Sequence, residues 1–324
     1  SGKFALYNQD ADKVTNFKNI FLVKNNSEVI FAKRHDSSNG LITGGNGWAV
    51  DFFQCPRPQG WNRGNLDGPY LELVEEFEHI DGTSGKLNRS EVENGLWTMD
   101  KLWGKKDPRF FATIYTQETS WKGSFVDYHN GLLLPDGTIM TKDSYNGVLC
   151  TGDQDLEGTC FGVMKYLDES HDNMAGTESA WATSSQDFLL FRYAETLLNL
   201  AEAAYELGKK GEALDAINQI RERAGITPLK EISQDKIRHE RKVELAFEGH
   251  RYWDVRRWRT ATTELSRSFS GLRYILDYSS YTDDEKKYKL EILDNIDGSV
   301  STPLFKEENY YLPITLSRTS SNPN

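Results

Sequence analysis

The stretch that decides the fold is Phe188-Leu189-Leu190-Phe191-Arg192-Tyr193-Ala194-Glu195-Thr196-Leu197-Leu198-Asn199-Leu200-Ala201-Glu202-Ala203-Ala204-Tyr205. Its apolar residues Ala194, Leu197, Leu198, Ala201, Ala204 and Tyr205 recur at the i, i+3, i+4, i+7 spacing of one helical face. Asp187 stands where an N-cap belongs and Gly208 where a helix stops, so the spacing predicts a helix from about 188 to 207. After the tight turn Gly208-Lys209-Lys210-Gly211, the face Leu214, Ile217, Ile220 and Ala224 predicts a second helix ending at Gly225. Two amphipathic helices joined by so short a turn lie antiparallel, and the alanines at 201, 204, 213 and 216 let them approach closely. This is the pattern of a tetratricopeptide-type hairpin, present once. A third helix is expected from Gln234 to Glu248, with Ile237, Val243, Ala246 and Phe247 inward. Gly249 interrupts it, and Tyr252 to Trp258 resumes as a short helix.

Outward from this block the texture changes. Residues 1 to 186 are irregular and rich in Gly, Asn, Asp and Trp. Val29-Ile30-Phe31-Ala32 reads as a short strand, Tyr70 to Phe77 as one or two helical turns, and Phe110 to Tyr115 as a strand. Gly40 to Pro69 is a long loop whose aromatics argue against disorder. Beyond Trp258 the periodicity fades, and Tyr310-Tyr311-Leu312-Pro313-Ile314 reads as an extended segment laid against the core. The expected fold class is therefore mainly α: a tetratricopeptide-like helical hairpin scaffold with long irregular loops and a few short strands. The chain divides at about residue 186 into a loop-rich ligand-binding part, 1–186, and a helical part, 187–324, integrated in one domain.

The 324 residues carry 38% hydrophobic and 12% aromatic side chains, enough for a sizeable core, and a net charge of −11. An acidic surface repels phosphate backbones, which argues against nucleic acid. The basic stretch Arg251-Tyr252-Trp253-Asp254-Val255-Arg256-Arg257-Trp258-Arg259 reads as structural, with Asp254 pairing to Arg251 or Arg257 and both tryptophans anchoring the packing. No apolar run approaches the ~20 residues that span a bilayer. Cys55, Cys150 and Cys160 are too few for a disulfide scaffold, although Cys150 and Cys160 bracket a loop and can pair in an oxidising compartment.

Catalytic signatures are missing from the sequence. The six histidines show no metal-binding spacing, Gly44-Gly45-Asn46-Gly47 lacks the Lys-Ser/Thr of a phosphate loop, and no nucleophile elbow occurs. Asp153-Gln154-Asp155-Leu156-Glu157 places a carboxylate at every second position without completing a calcium loop. No catalytic residue, metal or cofactor is expected. The suggestive feature is the aromatic set Trp48, Phe52, Phe53, Trp61 and Tyr70, interleaved with Asn46, Gln54, Arg57, Asn62, Arg63 and Asp67. Aromatic faces bind the C–H patches of sugars while amides, Arg and carboxylates hold the hydroxyls. Trp48, Trp61, Tyr70, Asn62 and Arg63 are the candidate ligand-binding residues, with Trp121 repeating the theme in a second loop.

Several phrases in order also resemble one family, the SusD/RagB-like nutrient-binding lipoproteins. They are Glu72-Leu73-Val74-Glu75 with Asp81-Gly82; Lys106-Asp107-Pro108-Arg109-Phe110; Lys165-Tyr166-Leu167; and Arg192-Tyr193-Ala194-Glu195 with Leu197-Leu198. Glu240-Arg241, Glu244-Leu245, Glu248-Gly249-His250-Arg251, Trp253-Asp254, Arg256-Arg257-Trp258 and Leu312-Pro313-Ile314 complete the set. The resemblance implies helix pairs supporting a loop-rich binding face and a place at the outer-membrane surface of Bacteroidetes on a lipidated cysteine. It further implies capture of glycans, or sometimes peptides, for a SusC-like TonB-dependent transporter, without catalysis. A glycan-active hydrolase is the more distant alternative. The family's N-terminal part, with its lipid cysteine, has no counterpart in this chain, so the membrane is expected to be reached only through an anchor outside it.

Overall fold

A computed structural model describes residues 2–40, 44–57, 64–152, 159–172, 181–296 and 304–311. In chain order the first elements are α1 (Lys13–Leu22), β1 (Val29–Lys33), α2 (Val50–Phe53), α3 (Leu71–Glu76), α4 (Arg89–Asn94), β2 (Leu96–Trp97), α5 (Met99–Trp103) and α6 (Pro108–Thr113). Short strands follow: β3 (Ile114–Tyr115), β4 (Ser120–Trp121), β5 (Ser124–Phe125), β6 (His129–Leu133), β7 (Ile139–Met140), β8 (Ser144–Tyr145), β9 (Val148–Leu149), β10 (Gly162–Val163) and β11 (Phe188–Arg192). The last third holds α7 (Tyr193–Glu206), α8 (Lys210–Ala224), α9 (Gln234–Glu244), α10 (Arg251–Arg257), α11 (Ala261–Glu264), β12 (Gly271–Asp277) and β13 (Tyr288–Leu293).

The hairpin expected from periodicity is α7–α8. Ala194, Leu197, Leu198 and Ala201 pack on Ala216, Ile217 and Ile220, with Ile237 of α9 and Leu245 closing the cluster. Gly225, at φ +78°, takes the left-handed conformation that ends α8, and its amide bonds back to Glu222. The start of α7 differs from expectation. Asp187 does not cap it; Phe188–Arg192 is strand β11, paired antiparallel with β1, and the helix begins at Tyr193. A run such as Phe-Leu-Leu-Phe satisfies either state, and pairing with β1 decides it.

Two further corrections have local causes. Phe110 to Tyr115 is mostly helical, because Asp107 caps the Arg109 amide and Pro108 occupies the first turn of α6; only Ile114 and Tyr115 are strand. Tyr310 is buried in a 3-10 turn, Glu307–Tyr310, rather than extended, and Leu312-Pro313-Ile314 lies outside the described residues.

The periodicity also passed over a five-stranded sheet in the order β2-β13-β12-β6-β7. β12 is antiparallel to β13, from Gly271 opposite Leu293 to Leu276 opposite Tyr288, and parallel to β6. Its residues are buried on both faces, so it carries no polar–apolar alternation. Tyr274, Tyr288, Leu272 and Leu290 join Phe77, Trp103, Phe110, Trp121, Tyr128 and Phe161 in the largest apolar core.

The two cores meet at a buried seam of charge. Arg109, Arg192, Arg221, Arg223 and Lys165 face Glu28, Asp107, Glu240, Glu244 and Glu248, and all ten are withdrawn from water. Arg192 donates through Nε to Glu248 at 2.6 Å and through one terminal nitrogen to Glu28 at 2.6 Å and Glu244 at 2.7 Å. Arg109 binds Asp107 at 2.7 Å, Glu240 at 2.6 Å and Glu244 at 2.8 Å. Arg223 completes Glu244 and Glu28, and Lys165 donates to Glu248 at 2.8 Å. Burial pushes the Glu244 carboxyl up, but Arg223, Arg192 and Arg109 outweigh it and hold it well below its ordinary value. Burial lowers the Lys165 ammonium to about 8 despite Glu248. The seam ties the residue before β1, the start of α6 and β11 to α8, α9 and the turn that follows α9, and so sets where the loops emerge.

Candidate functional site

Two faces of α6 do different work. Arg109 enters the charged seam, while Phe110 and Phe111, with Ile114 beyond them, line a groove. The opposite wall comes from α1 through Val14 and Lys18, and the end from α5 through Met99, Asp100 and Trp103. The turn Thr116–Ser120 forms the lip, giving an open groove of about 470 Å³. Trp103 and Phe110 are buried beneath it and Phe111 is half-buried, so the floor is aromatic. Burial lowers the pKa of Lys18, against the pull of Glu169 and Asp12. No hydrogen-bond or ion-pair partner for its ammonium occurs among the described residues. Glu118 adopts φ +60° and accepts from the Tyr288 hydroxyl at 2.7 Å, which fixes one carboxylate at the lip. Gln117 is spent inside, with its amide on Asp127 and Tyr288.

The lip continues into the β4–β5 hairpin. There Lys122 reaches the carbonyl of His171, and its own amide donates to Glu169. This joins the hairpin to the 168–172 loop, which is clamped in turn on Asp51. Asp51 is buried and accepts from the Asp168 amide at 2.7 Å and the Gln186 amide at 2.7 Å, with His171 Nδ1 at 3.0 Å. The Asp51 carboxylate beside it raises the His171 pKa, although burial opposes it. On the other side of α2, Trp48 forms a bridge with Ser184. Gly47 permits this approach: a Cβ there would stand 2.3 Å from the Ala182 carbonyl oxygen.

The predicted binding residues fall in several places. Trp48 is half-buried, its ring stacked on His35 at 4.9 Å and set edge-on to Tyr166 and Phe188. One of its faces is therefore already occupied. Tyr70 stacks on Phe269 at 4.3 Å near the start of β12, by contacts separate from those of Trp48. Trp121 is 2% exposed and belongs to the large core, so it offers no stacking face in this conformation. Trp61, Asn62 and Arg63 lie outside the described residues, as does the acidic stretch 153–157. Among the described residues no group of His, Cys, Asp or Glu is set to hold a metal. Cys150 and Cys160 form no disulfide; their thiols point to the carbonyls of Lys142 and Tyr128.

Sequence reasoning missed Asp51, His171, Lys18 and Phe111. A carboxylate inside the run Val50-Asp51-Phe52-Phe53 was the available signal, since a charge among apolar neighbours needs donors brought by the fold. The basic helix behaved partly as expected. Arg257 pairs with Asp254 at 2.9 Å, but Arg251 pairs with Glu264, and Trp253, at 58% exposed, meets its helix neighbours Tyr252 and Arg256. Trp258 does pack, donating to Glu202 at 2.8 Å beneath the guanidiniums of Arg238 and Arg257.

Comparison with known proteins agrees with the motif reading. The family model described as the SusD family matches residues 27–324. A SusD-like protein P38 of Formosa agariphila is 38% identical over 26% of this chain and 20% of its own length. A SusD-like protein of Bacteroides ovatus is 29% identical over 58% of this chain and 38% of its own. Among solved structures, a SusD-like protein from Bacteroides fragilis superposes with TM-score 0.67 at 24% identity, covering 99% of this chain and 57% of that one. A SusD-like carbohydrate binding protein from the same species gives TM-score 0.65 at 23% identity, covering 99% and 58%. The chain thus spans little more than half the length of these two structures.

Proposed function

The chain belongs to the SusD family, and from that premise we propose that it captures an oligosaccharide or polysaccharide and passes it unchanged to a SusC-like TonB-dependent transporter. On this reading the whole protein sits at the outer-membrane surface on a lipid anchor. The observation that carries the binding role is the groove. It combines the half-buried ring of Phe111, backed by the buried Trp103, with an ammonium at Lys18 and carboxylates at Asp100 and Glu118. A pyranose presents a C–H face and a rim of hydroxyls; the first suits the floor and the second the rim. Trp48 and Tyr70, together with Trp61, Asn62 and Arg63, are proposed to add further ligand contacts.

Affinity electrophoresis through gels containing neutral polysaccharides tests this. The wild-type chain is expected to be retarded by at least one of them. Phe111→Ala should lose most of that retardation, and Trp48→Ala and Trp61→Ala should each reduce it. Unchanged mobility of the wild type in every gel would remove the glycan reading, and retardation by peptide-bearing matrices alone would replace it. Release of reducing sugar on long incubation would overturn the absence of catalysis.

A further inference from the structure

The basic–aromatic stretch of α10 is not absorbed by the glycan reading, and it borders a second cavity. Between the first turns of α9, the start of α10 and the segment after α11 lies an open pocket of about 230 Å³, lined by polar and charged side chains. Two of its cations are already matched. Lys242 donates to Glu76 at 2.6 Å, with His239 3.3 Å from the same carboxylate, and Arg251 donates to Glu264 at 2.6 Å. Two others are not. Arg238 lies over the Trp258 ring at 4.8 Å and Arg267 over Phe269 at 5.1 Å, and neither meets a carboxylate or any hydrogen-bond acceptor among the described residues. The Nε of Arg238 is removed from water and still lacks a partner. One unmatched anion, Asp235, stands on the rim in the first turn of α9, where the helix N-terminus offsets part of its charge.

A guanidinium presents its donors in a planar fork that fits two oxygens of one oxyanion, and stacking on an aromatic ring holds that fork in place before anything binds. A chain of net charge −11 has no general tendency to collect anions, so two unpaired arginines converging on one concavity are a local feature. We infer that this pocket is an oxyanion site, formed by Arg238 and Arg267 with Arg251 at its wall, and that it takes a sulfate or carboxylate group, free or borne on a sugar. The pocket is separate from the groove beneath Phe111, and the inference does not depend on neutral-glycan binding.

Calorimetric titration of the folded chain with sodium sulfate and with sodium glucuronate, at ionic strength held constant with chloride, tests the assignment. Saturable binding of at least one of the two is expected, weakened tenfold or more in Arg238→Gln and in Arg267→Gln. Arg267 is exposed, so its variant reads the site without risk to the fold. Asp235→Asn should bind the same anion severalfold more tightly. Binding of sulfate alone identifies a free tetrahedral anion as the ligand, and binding of glucuronate alone a sugar carboxylate. No heat above the chloride control for either anion, or binding that survives both arginine variants, overturns the site. Loss of neutral-polysaccharide retardation alone leaves it standing, because these titrations contain no neutral glycan.

Discussion

The charged seam and the loop face solve opposite problems with the same residue types. At the seam, five cations and five carboxylates are almost completely dry, and nearly every charge has two partners from different elements. At the loop face, Asp51 is the buried carboxylate and gathers the Asp168 amide, Gln186 and His171, while much of the packing is aromatic. Desolvating an ion costs several kcal/mol, and only matched geometry offsets that. Such a seam tolerates little change. The loop face is held by fewer, partly wet contacts, and its aromatic rings fix position by shape. The difference suits a scaffold that must stay fixed and a surface that must meet a ligand.

The largest effect that would break this comparison comes from Arg192→Met. It leaves Glu28, Glu244 and Glu248 buried with too few cations, at an expected cost of about 3–5 kcal/mol and a fall in Tm of roughly 10 °C by calorimetry. A fall of only a degree or two would show the seam to be dispensable. Acid follows from the same groups. The native Glu244 pKa lies well below its unfolded value, so its stabilisation is present at neutral pH and is lost as pH falls through the native value. Far-ultraviolet circular dichroism should therefore show helix persisting below pH 4, then a single cooperative loss.

On the loop side the expected effects are smaller. Trp48→Ala removes one stacked and two edge-on contacts and should cost about 1–3 kcal/mol in a urea titration, with the helical spectrum unchanged. The smallest effect is that of pH on the clamp. His171 has a native pKa raised above 6.5, so its contribution is complete below that value and disappears as pH rises through the raised one. Amide exchange at 168–172, corrected for intrinsic rate, should grow faster across that window than exchange in α7, and His171→Gln should abolish the difference.

The same contrast explains what could be read in the sequence. Helices α7, α8 and α9 announce themselves because each buries one stripe against the others, and period 3.6 records it. The phrases that carry the family resemblance contain seven of the ten seam residues: Asp107, Arg109, Lys165, Arg192, Glu240, Glu244 and Glu248. The seam's demand for particular charges at particular places makes that wording distinctive. β12 left no such trace, being buried on both faces, and β11 was hidden because its pairing partner lies more than 150 residues away. The groove was not visible either: Lys18, Asp100, Phe111 and Glu118 come from separate elements and share no spacing. Trp48 and Trp121 are legible as aromatic, but which ring faces are covered depends on neighbours such as His35 that no local pattern supplies.

The ligand is expected to meet the loop face and groove while the helical scaffold stays untouched. Hydrogen–deuterium exchange with and without a retarding polysaccharide tests it most directly. Protection is expected within 44–57, 111–122 and 168–172, with α7 and α8 unchanged. Protection confined to α7 and α8, with those three segments exchanging as in the free protein, would contradict it.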